Sequence, residues 1–157
     1  MNDGASPARM NAAIARAYDA LVYDMGAATA LDPPFAFGIG ALHGCARDTT
    51  KKFDALDLGC GTGAQLERLA GQTRGLLVGV DISPVSCEAA RKRLASAGAR
   101  AQILARDILD IEPGKLGSFD LILHLGVIFI TPPPVRARIL EIIGKCLAPG
   151  GVAILSY

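Results

Sequence analysis

The sequence has few aromatic residues and no excess charge of either sign. It contains no tryptophan, three tyrosines and five phenylalanines, and its net charge is +1 from 16 basic and 15 acidic residues. A row of aromatic side chains for stacking bases, or an aromatic cage for a quaternary amine, is therefore not favoured. A balanced charge also gives no long-range attraction to nucleic acid or to an anionic membrane, so neither is a favoured partner.

Cysteine pairs and long apolar runs are absent as well. The four cysteines are far apart in the sequence, at Cys45, Cys60, Cys87 and Cys146. The sequence contains only two histidines. This spacing predicts no metal site and favours reduced, buried thiols in a cytoplasmic protein. The longest apolar run, residues 121–130, is interrupted by His124 and is too short to span a bilayer. Residues 1–10 lack the apolar stretch of a signal peptide.

The chain of 157 residues is long enough for one domain, and 51% of it is hydrophobic. We expect a flexible tail over residues 1–10 and a helical cover over residues 11–50, with a first helix near residues 14–22. Residues 51–157 form the predicted core. Because the sequence stops on an apolar strand, we expect this core to be incomplete at its carboxyl end; the alternative is a naturally short chain whose edge strand is buried in an oligomer.

Apolar strands and helical patterns alternate through the core. The predicted strands are residues 53–58, 76–81, 101–104, 119–125 and 152–157, and the predicted helices are residues 64–71, 84–97 and 135–147. Ser83 and Pro84 are suited to start the second helix and Gly98 to end it, while residues 149–151 (PGG) predict a turn. This alternation predicts an α/β fold with a parallel sheet of about five strands and helices on both faces, in three α/β/α layers.

Residues 57–63 (DLGCGTG) join the first strand to the first helix. A glycine loop at this place lets the backbone approach a ligand and directs helix N–H groups at it. Gly59, Gly61 and Ala64 fit the dinucleotide-binding pattern, and Asp81 lies at the distance expected for an acid that binds ribose. A nicotinamide-dependent oxidoreductase therefore remains an alternative at this point.

Three further features separate the two interpretations. Asp57 precedes the glycines and would be poorly placed beside a pyrophosphate, but it suits a ligand with a sulfonium and an ammonium group. Asp107 can accept a hydrogen bond from an adenine amine while Ile108 packs on the ring. Residues 147–151 (LAPGG) precede the last strand.

In this order the stretches resemble those of the class I S-adenosylmethionine-dependent methyltransferases, which have a Rossmann-like fold. The likeness covers about residues 53–157 and rests on four stretches: ALDLGCGTG, GVDIS, ARDILD, and FDLIL with LAPGG. Residues 18–23 (YDALVY) and 119–136 are similar to bacterial methyltransferases that carry a C-terminal regulatory domain. That group has His before Gly-Val, whereas here Leu125 precedes Gly126 and the histidine lies one place earlier, at His124.

The resemblance implies where the donor binds. The predicted cofactor-binding residues are Tyr18, Asp57, Gly59, Cys60, Gly61, Gly63, Asp81, Ile82, Asp107, Ile108, Leu123 and His124. Within this set, the glycines approach the methionine part and the ribose, and Leu123 and His124 border the sulfonium and the methyl acceptor. Asp57 would hold the methionine amine or, alternatively, cap the loop. Asp81 would accept the ribose hydroxyls or merely start a helix.

Tyr23 and His124 are the candidate catalytic residues, with packing roles as the alternative for both. The function implied is S-adenosylmethionine-dependent methyl transfer, to a small molecule first and a protein side chain second. A non-catalytic module that only binds S-adenosylmethionine is the alternative. The reaction needs a general base only if the acceptor must lose a proton.

Overall fold

A computed structural model of the chain describes Arg16, residues 52–126 and residues 131–155. The predicted tail, most of the helical cover, and both Tyr18 and Tyr23 lie outside these residues, as do residues 127–130 of the strand-four region. No helix in the described ranges is long and apolar enough to cross a membrane.

The described core is a five-stranded sheet with helices between the strands. The strands are β1 (Ala55–Leu58), β2 (Leu77–Asp81), β3 (Ala101–Ala105), β4 (Phe119–His124) and β5 (Leu147–Leu155). The helices are α1 (Ala64–Ala70), α2 (Pro84–Ser96), α3 (Pro113–Leu116) and α4 (Pro133–Cys146), with a 3-10 turn at Ile108–Asp110. All strand pairs are parallel and the order is β3-β2-β1-β4-β5. The predicted parallel α/β fold is confirmed.

This strand order determines where a ligand can bind. The chain adds β2 and β3 on one side of β1 and then returns to place β4 on the other side. The connections after β1 and β4 therefore leave the sheet in opposite directions. In parallel sheets a crevice opens at such a point, outside the carboxyl ends of the strands.

Helices cover both faces of the sheet, as predicted. The α1–α2 face buries Leu66 and Leu69 of α1 and Ala90 and Leu94 of α2 against strand residues such as Leu123. The α4 face is the opposite side, where α4 is buried against β1, β2 and β4 with the side chains Leu56, Leu58, Val80, Ile122, Ile139 and Ile142. Because neighbouring strand residues point to opposite faces, this division follows from the sequence of each strand.

The second helix begins and ends as its sequence predicts. The Ser83 hydroxyl accepts a hydrogen bond from the Ser86 amide at 3.0 Å, and Pro84 takes the first helical position, where its missing N–H costs nothing. Gly98 follows the helix with φ +65°, a conformation that glycine adopts without strain. These signals fix the start of α2, and so the position of the residues just before it.

Two local predictions were wrong. β5 begins at Leu147 rather than at residue 152, because Leu147 already pairs with Phe119; the register then shifts before Val152 pairs with Leu121. The Pro-Gly-Gly segment is thus an irregularity inside a strand rather than a turn before it. The 3-10 turn and α3 were not predicted, since three or four residues are too few to show a helical period.

Candidate functional site

The glycine loop follows β1 at the carboxyl edge of the sheet. Gly59, Gly61 and Gly63 all have positive φ angles, of 88°, 51° and 79°, which residues other than glycine rarely adopt. The amides of Gly59 and Cys60 donate to the Val80 carbonyl at 2.8 and 3.1 Å. The loop is therefore held against the end of β2, with its backbone at the crevice.

Gly63 also lets two helices approach each other. A Cβ atom at this position would lie 2.9 Å from the Ala90 Cβ, closer than side chains pack. Gly63 directly precedes α1, and Ala90 is buried in the middle of α2. The third glycine is thus required by helix packing as well as by its backbone conformation.

Asp81, the last residue of β2, connects the loop to the next helix. Its Oδ2 accepts a hydrogen bond from the Gly61 amide at 2.8 Å, and its Oδ1 accepts one from the Ser83 amide at 2.9 Å. The helix-start role considered as an alternative is therefore present in the structure. Both bonds also fix the orientation of the carboxylate at the carboxyl edge of the sheet.

Asp57 lies beneath the loop and is only 3% exposed. Burial, and secondly the nearby charge of Asp81, raises the pKa of its carboxyl group to about 7. No hydrogen bond from a described residue contributes to this shift. Since the amides of Gly59, Gly61 and Gly63 donate elsewhere, the loop-capping alternative gains no support. A bound cation would favour the ionised form of this group.

Cys60 shares this acidic surrounding. Burial raises the pKa of its thiol, and the charges of Asp57 and Asp81 raise it further. The thiol is therefore uncharged at neutral pH and is suited neither to nucleophilic attack nor to metal binding. Among the described residues, no group of three or more His, Cys, Asp or Glu side chains could hold a metal ion.

Asp107 and Ile108 lie just beyond β3, next to the end of β2. The amide of Arg106 donates to the Asp81 carbonyl at 2.8 Å, which brings this segment to the crevice. The Asp107 Oδ1 accepts from the Leu109 amide at 2.9 Å and so caps the 3-10 turn. Ile108 is half-buried on the α4 face, and Ile82 is half-buried directly after Asp81.

Leu123 and His124 end β4 on the other side of β1. Leu123 pairs with Asp57 in the register and is fully buried on the α1–α2 face. His124 is also fully buried, and its Nδ1 lies 2.7 Å from the Leu58 carbonyl oxygen. Burial lowers the pKa of its imidazole. Within the described residues, its Nε2 has no hydrogen-bond partner.

One polar residue at this edge was missed. Gln65, in the first turn of α1, is 7% exposed, and neither atom of its amide group has a partner within the described part of the chain. Its position four residues before the buried Leu69 places it on the inward face of the helix. A polar side chain on a buried helical face was the signal in the sequence.

Similarity to known proteins agrees with this arrangement. A family profile described as a methyltransferase domain matches residues 55–151. An uncharacterised protein of Rickettsia prowazekii is 32% identical over 142 residues, which cover 89% of this chain and 56% of that protein. The carboxy-S-adenosyl-L-methionine synthase of Wolinella succinogenes is 35% identical over 103 residues, which cover 64% of this chain and 42% of the synthase.

A solved structure with a bound product is also similar. PKMT2 from Rickettsia typhi in complex with AdoHcy has a TM-score of 0.64 and 32% identity, over 77% of this chain and 24% of that one. The chain thus covers only part of each of these relatives, from 24% of PKMT2 to 56% of the uncharacterised Rickettsia prowazekii protein. It belongs to the methyltransferase-domain family, and its described core is that of a class I, Rossmann-like, S-adenosylmethionine-dependent methyltransferase.

Proposed function

We propose that the protein transfers the methyl group of S-adenosylmethionine to an acceptor, with the donor lying across the carboxyl ends of β1, β2 and β3. The observation that carries this proposal is the buried Asp57 beside Asp81, under a loop of three glycines. Two carboxylates here oppose the binding of a pyrophosphate. They favour a donor that carries a sulfonium and an ammonium group.

Different residues at the crevice bind different parts of the donor. Asp57 holds the ammonium group of the methionine part, directly or through a water molecule. Asp81 accepts the ribose hydroxyls, because its oxygens are already oriented by the loop and by α2. Asp107 and Ile108 frame the adenine beyond β3, and Ile82 borders the ribose.

The backbone of the glycine loop and the uncharged thiol of Cys60 form the part of the site that lies against the donor. Gly59, Gly61 and Gly63 let the main chain approach the donor without a side chain between them. Leu123 is fully buried beside Asp57, its register partner on the neighbouring strand, and is proposed to border the sulfonium. Tyr18 is proposed as a further donor-binding residue and Tyr23 as a candidate catalytic residue; both lie outside the described residues.

The reaction is an in-line displacement at the methyl carbon. The sulfonium is already a good leaving group, so the protein contributes mainly orientation and exclusion of water. Dipoles and carboxylates that hold the donor rigidly keep the methyl group directed at the acceptor. No covalent intermediate with the protein is required.

We propose a small molecule as the acceptor, with a protein side chain as the second candidate. Some relatives act on other substrates: a tRNA U34 carboxymethyltransferase of Aeromonas hydrophila is 34% identical over 83 residues, or 52% of this chain. The net charge of +1 does not favour an RNA partner for this chain. Cys60, Cys87 and Cys146 form no disulfide bond within the described residues, which supports a cytoplasmic location.

A calorimetric titration with S-adenosylhomocysteine tests the donor site, with NAD⁺ as the matched control. We expect saturable binding of the first ligand with a dissociation constant in the micromolar range, and no binding of the dinucleotide. Tighter binding of NAD⁺ would favour the oxidoreductase instead. Absence of binding by S-adenosylhomocysteine would contradict the proposal.

Transfer itself requires a second experiment. The protein is incubated with donor labelled in the methyl group and with small-molecule and protein fractions of a bacterial lysate. Label in the small-molecule fraction is the expected result, and label in protein would select the second acceptor class. Binding of S-adenosylhomocysteine without any transfer would identify a module that only binds the donor.

A further inference from the structure

His124 is a fully buried polar group between the end of β4 and the start of the glycine loop. It is the last residue of β4, and its ring reaches across to the carbonyl of Leu58, which directly precedes Gly59. The imidazole thus joins the strand on the acceptor side to the loop on the donor side. Side-chain alternation places it on the α4 face, opposite Asp57.

The contact with Leu58 fixes the tautomer of the ring. A carbonyl oxygen can only accept, so Nδ1 at 2.7 Å must carry the hydrogen. Burial lowers the pKa of His124, which keeps the ring neutral at pH 7. A neutral ring with its proton on Nδ1 has an unprotonated Nε2, whose lone pair is a hydrogen-bond acceptor and a base.

That lone pair is buried and lacks a partner within the described residues. A buried acceptor without a donor is unfavourable, so such groups are few in folded proteins and often have a functional reason. The other unpartnered polar side chain at this edge is the amide of Gln65 on α1, which has no basic atom. Of these two unpartnered side chains, only His124 can receive a proton.

We propose that Nε2 of His124 receives the proton of the methyl acceptor, which makes the acceptor an N–H or O–H nucleophile. The proposal depends on the methyl transfer proposed above. The acceptor's lone pair forms the new bond to the methyl carbon, and the carbon–sulfur bond breaks with its electron pair left on sulfur. The proton of the acceptor moves to Nε2, giving a methylated product, S-adenosylhomocysteine and an imidazolium, which later loses its proton to solvent.

Sinefungin tests this placement without knowledge of the acceptor. In this analogue a carbon that bears an ammonium group replaces the methylated sulfur, so its N–H groups point to where the acceptor would lie. A hydrogen bond with one charged partner predicts that the protein binds sinefungin roughly tenfold or more tightly than S-adenosylhomocysteine. In His124→Asn, an amide N–H can still donate to the Leu58 carbonyl, but nothing replaces Nε2.

We expect His124→Asn to lose the preference for sinefungin while its affinity for S-adenosylhomocysteine changes little. A wild-type protein without the preference, or a variant that keeps it, would overturn the role of His124. If the wild type bound neither ligand, the proposed function itself would fail. Loss of both affinities in the variant alone would assign His124 to holding the loop, and would also reject the proposal.

The tautomer gives an independent readout. The sequence has two histidines, so long-range ¹H–¹⁵N spectra of the imidazole rings are simple, and the signal lost in His124→Asn identifies the residue. We expect a neutral ring with the proton on Nδ1 at pH 7. A proton on Nε2, or a charged ring, would contradict the proposed step.

Discussion

Burial changes the pKa of single side chains at the carboxyl edge of the sheet, and Asp57 is the clearest case. Its pKa of about 7, against an ordinary value of 3.8, means that the folded protein binds a proton which the unfolded chain has released. This carboxyl therefore stabilises the fold at low pH, and the stabilisation is lost as the pH rises from about 4 through 7.

Asp57→Asn should accordingly raise the free energy of unfolding near pH 8, by roughly 2–4 kcal/mol relative to the wild type, and change it little near pH 4. Urea unfolding at the two pH values measures the difference. The same variant should bind S-adenosylhomocysteine more weakly, because the ammonium group loses its counter-charge. An equal change in stability at both pH values would show that Asp57 ionises normally.

Asp81 and Asp54 form a matched pair of acids at opposite ends of the sheet. Asp54 accepts from the Leu76 amide at 2.6 Å before β1 begins, while Asp81 accepts from Gly61 after β2 ends. Both Asp54→Ala and Asp81→Ala should lower stability by about 1–3 kcal/mol, because buried amides lose an acceptor. Only Asp81→Ala should also weaken S-adenosylhomocysteine binding, roughly tenfold or more. Equal affinities for the two variants would remove Asp81 from the donor site.

At the scale of elements, the approach of α1 to α2 depends on one glycine. Gly63→Ala combines a positive φ with a methyl group only 2.9 Å from Ala90, whereas Gly98→Ala has a similar φ of +65° and open space around its Cβ. We expect about 1 kcal/mol of destabilisation for Gly98→Ala, and about 2–4 kcal/mol for Gly63→Ala. Thermal or urea unfolding of both variants measures the contribution of packing. Equal losses would mean that backbone strain alone matters at Gly63.

The elements also show what a sequence can predict. Strands β1, β2 and β4 and helix α2 follow from apolar periodicity and from a serine–proline start, which are local signals. The extension of β5 to Leu147 depends on its pairing with Phe119, a contact between residues far apart in the chain. The 3-10 turn depends on one side chain, Asp107, which accepts from Leu109. Neither produces a pattern in the sequence.

The same holds for the candidate site. The loop glycines, Asp57, Asp81 and Asp107 were predicted from their places at strand ends, and the structure brings those strand ends to one edge. The state of His124 could not be predicted, because it depends on a carbonyl 66 residues away in sequence. The helical period places Gln65 on the inward face of α1, but the lack of a partner for its amide is visible only once α1 is packed.

For the whole molecule, donor binding should stabilise the fold, since the crevice exists only when β1, β2 and β3 are assembled. S-Adenosylhomocysteine at about 100 times its dissociation constant should add about 2.7 kcal/mol to the free energy of unfolding. For a chain of 157 residues this corresponds to a rise in Tm of roughly 5–10 °C. Differential scanning fluorimetry measures it, with NAD⁺ as control. An equal rise with both ligands would contradict a site built for a cation.

Three buried thiols in the described core allow the rate at which the protein opens to be measured. Cys60 and Cys87 are buried on the α1–α2 face, and Cys146 is buried on the α4 face. An alkylating reagent can reach each only when that part of the protein opens, so labelling rates report local unfolding separately for the two layers. Because Cys60 lies in the glycine loop, S-adenosylhomocysteine should slow its labelling more than that of Cys146. The labelling rate of Cys60 therefore reports how often the glycine loop opens. Comparing it with the rate of Cys146 by peptide mass spectrometry would reveal whether the loop opens alone or with the whole sheet.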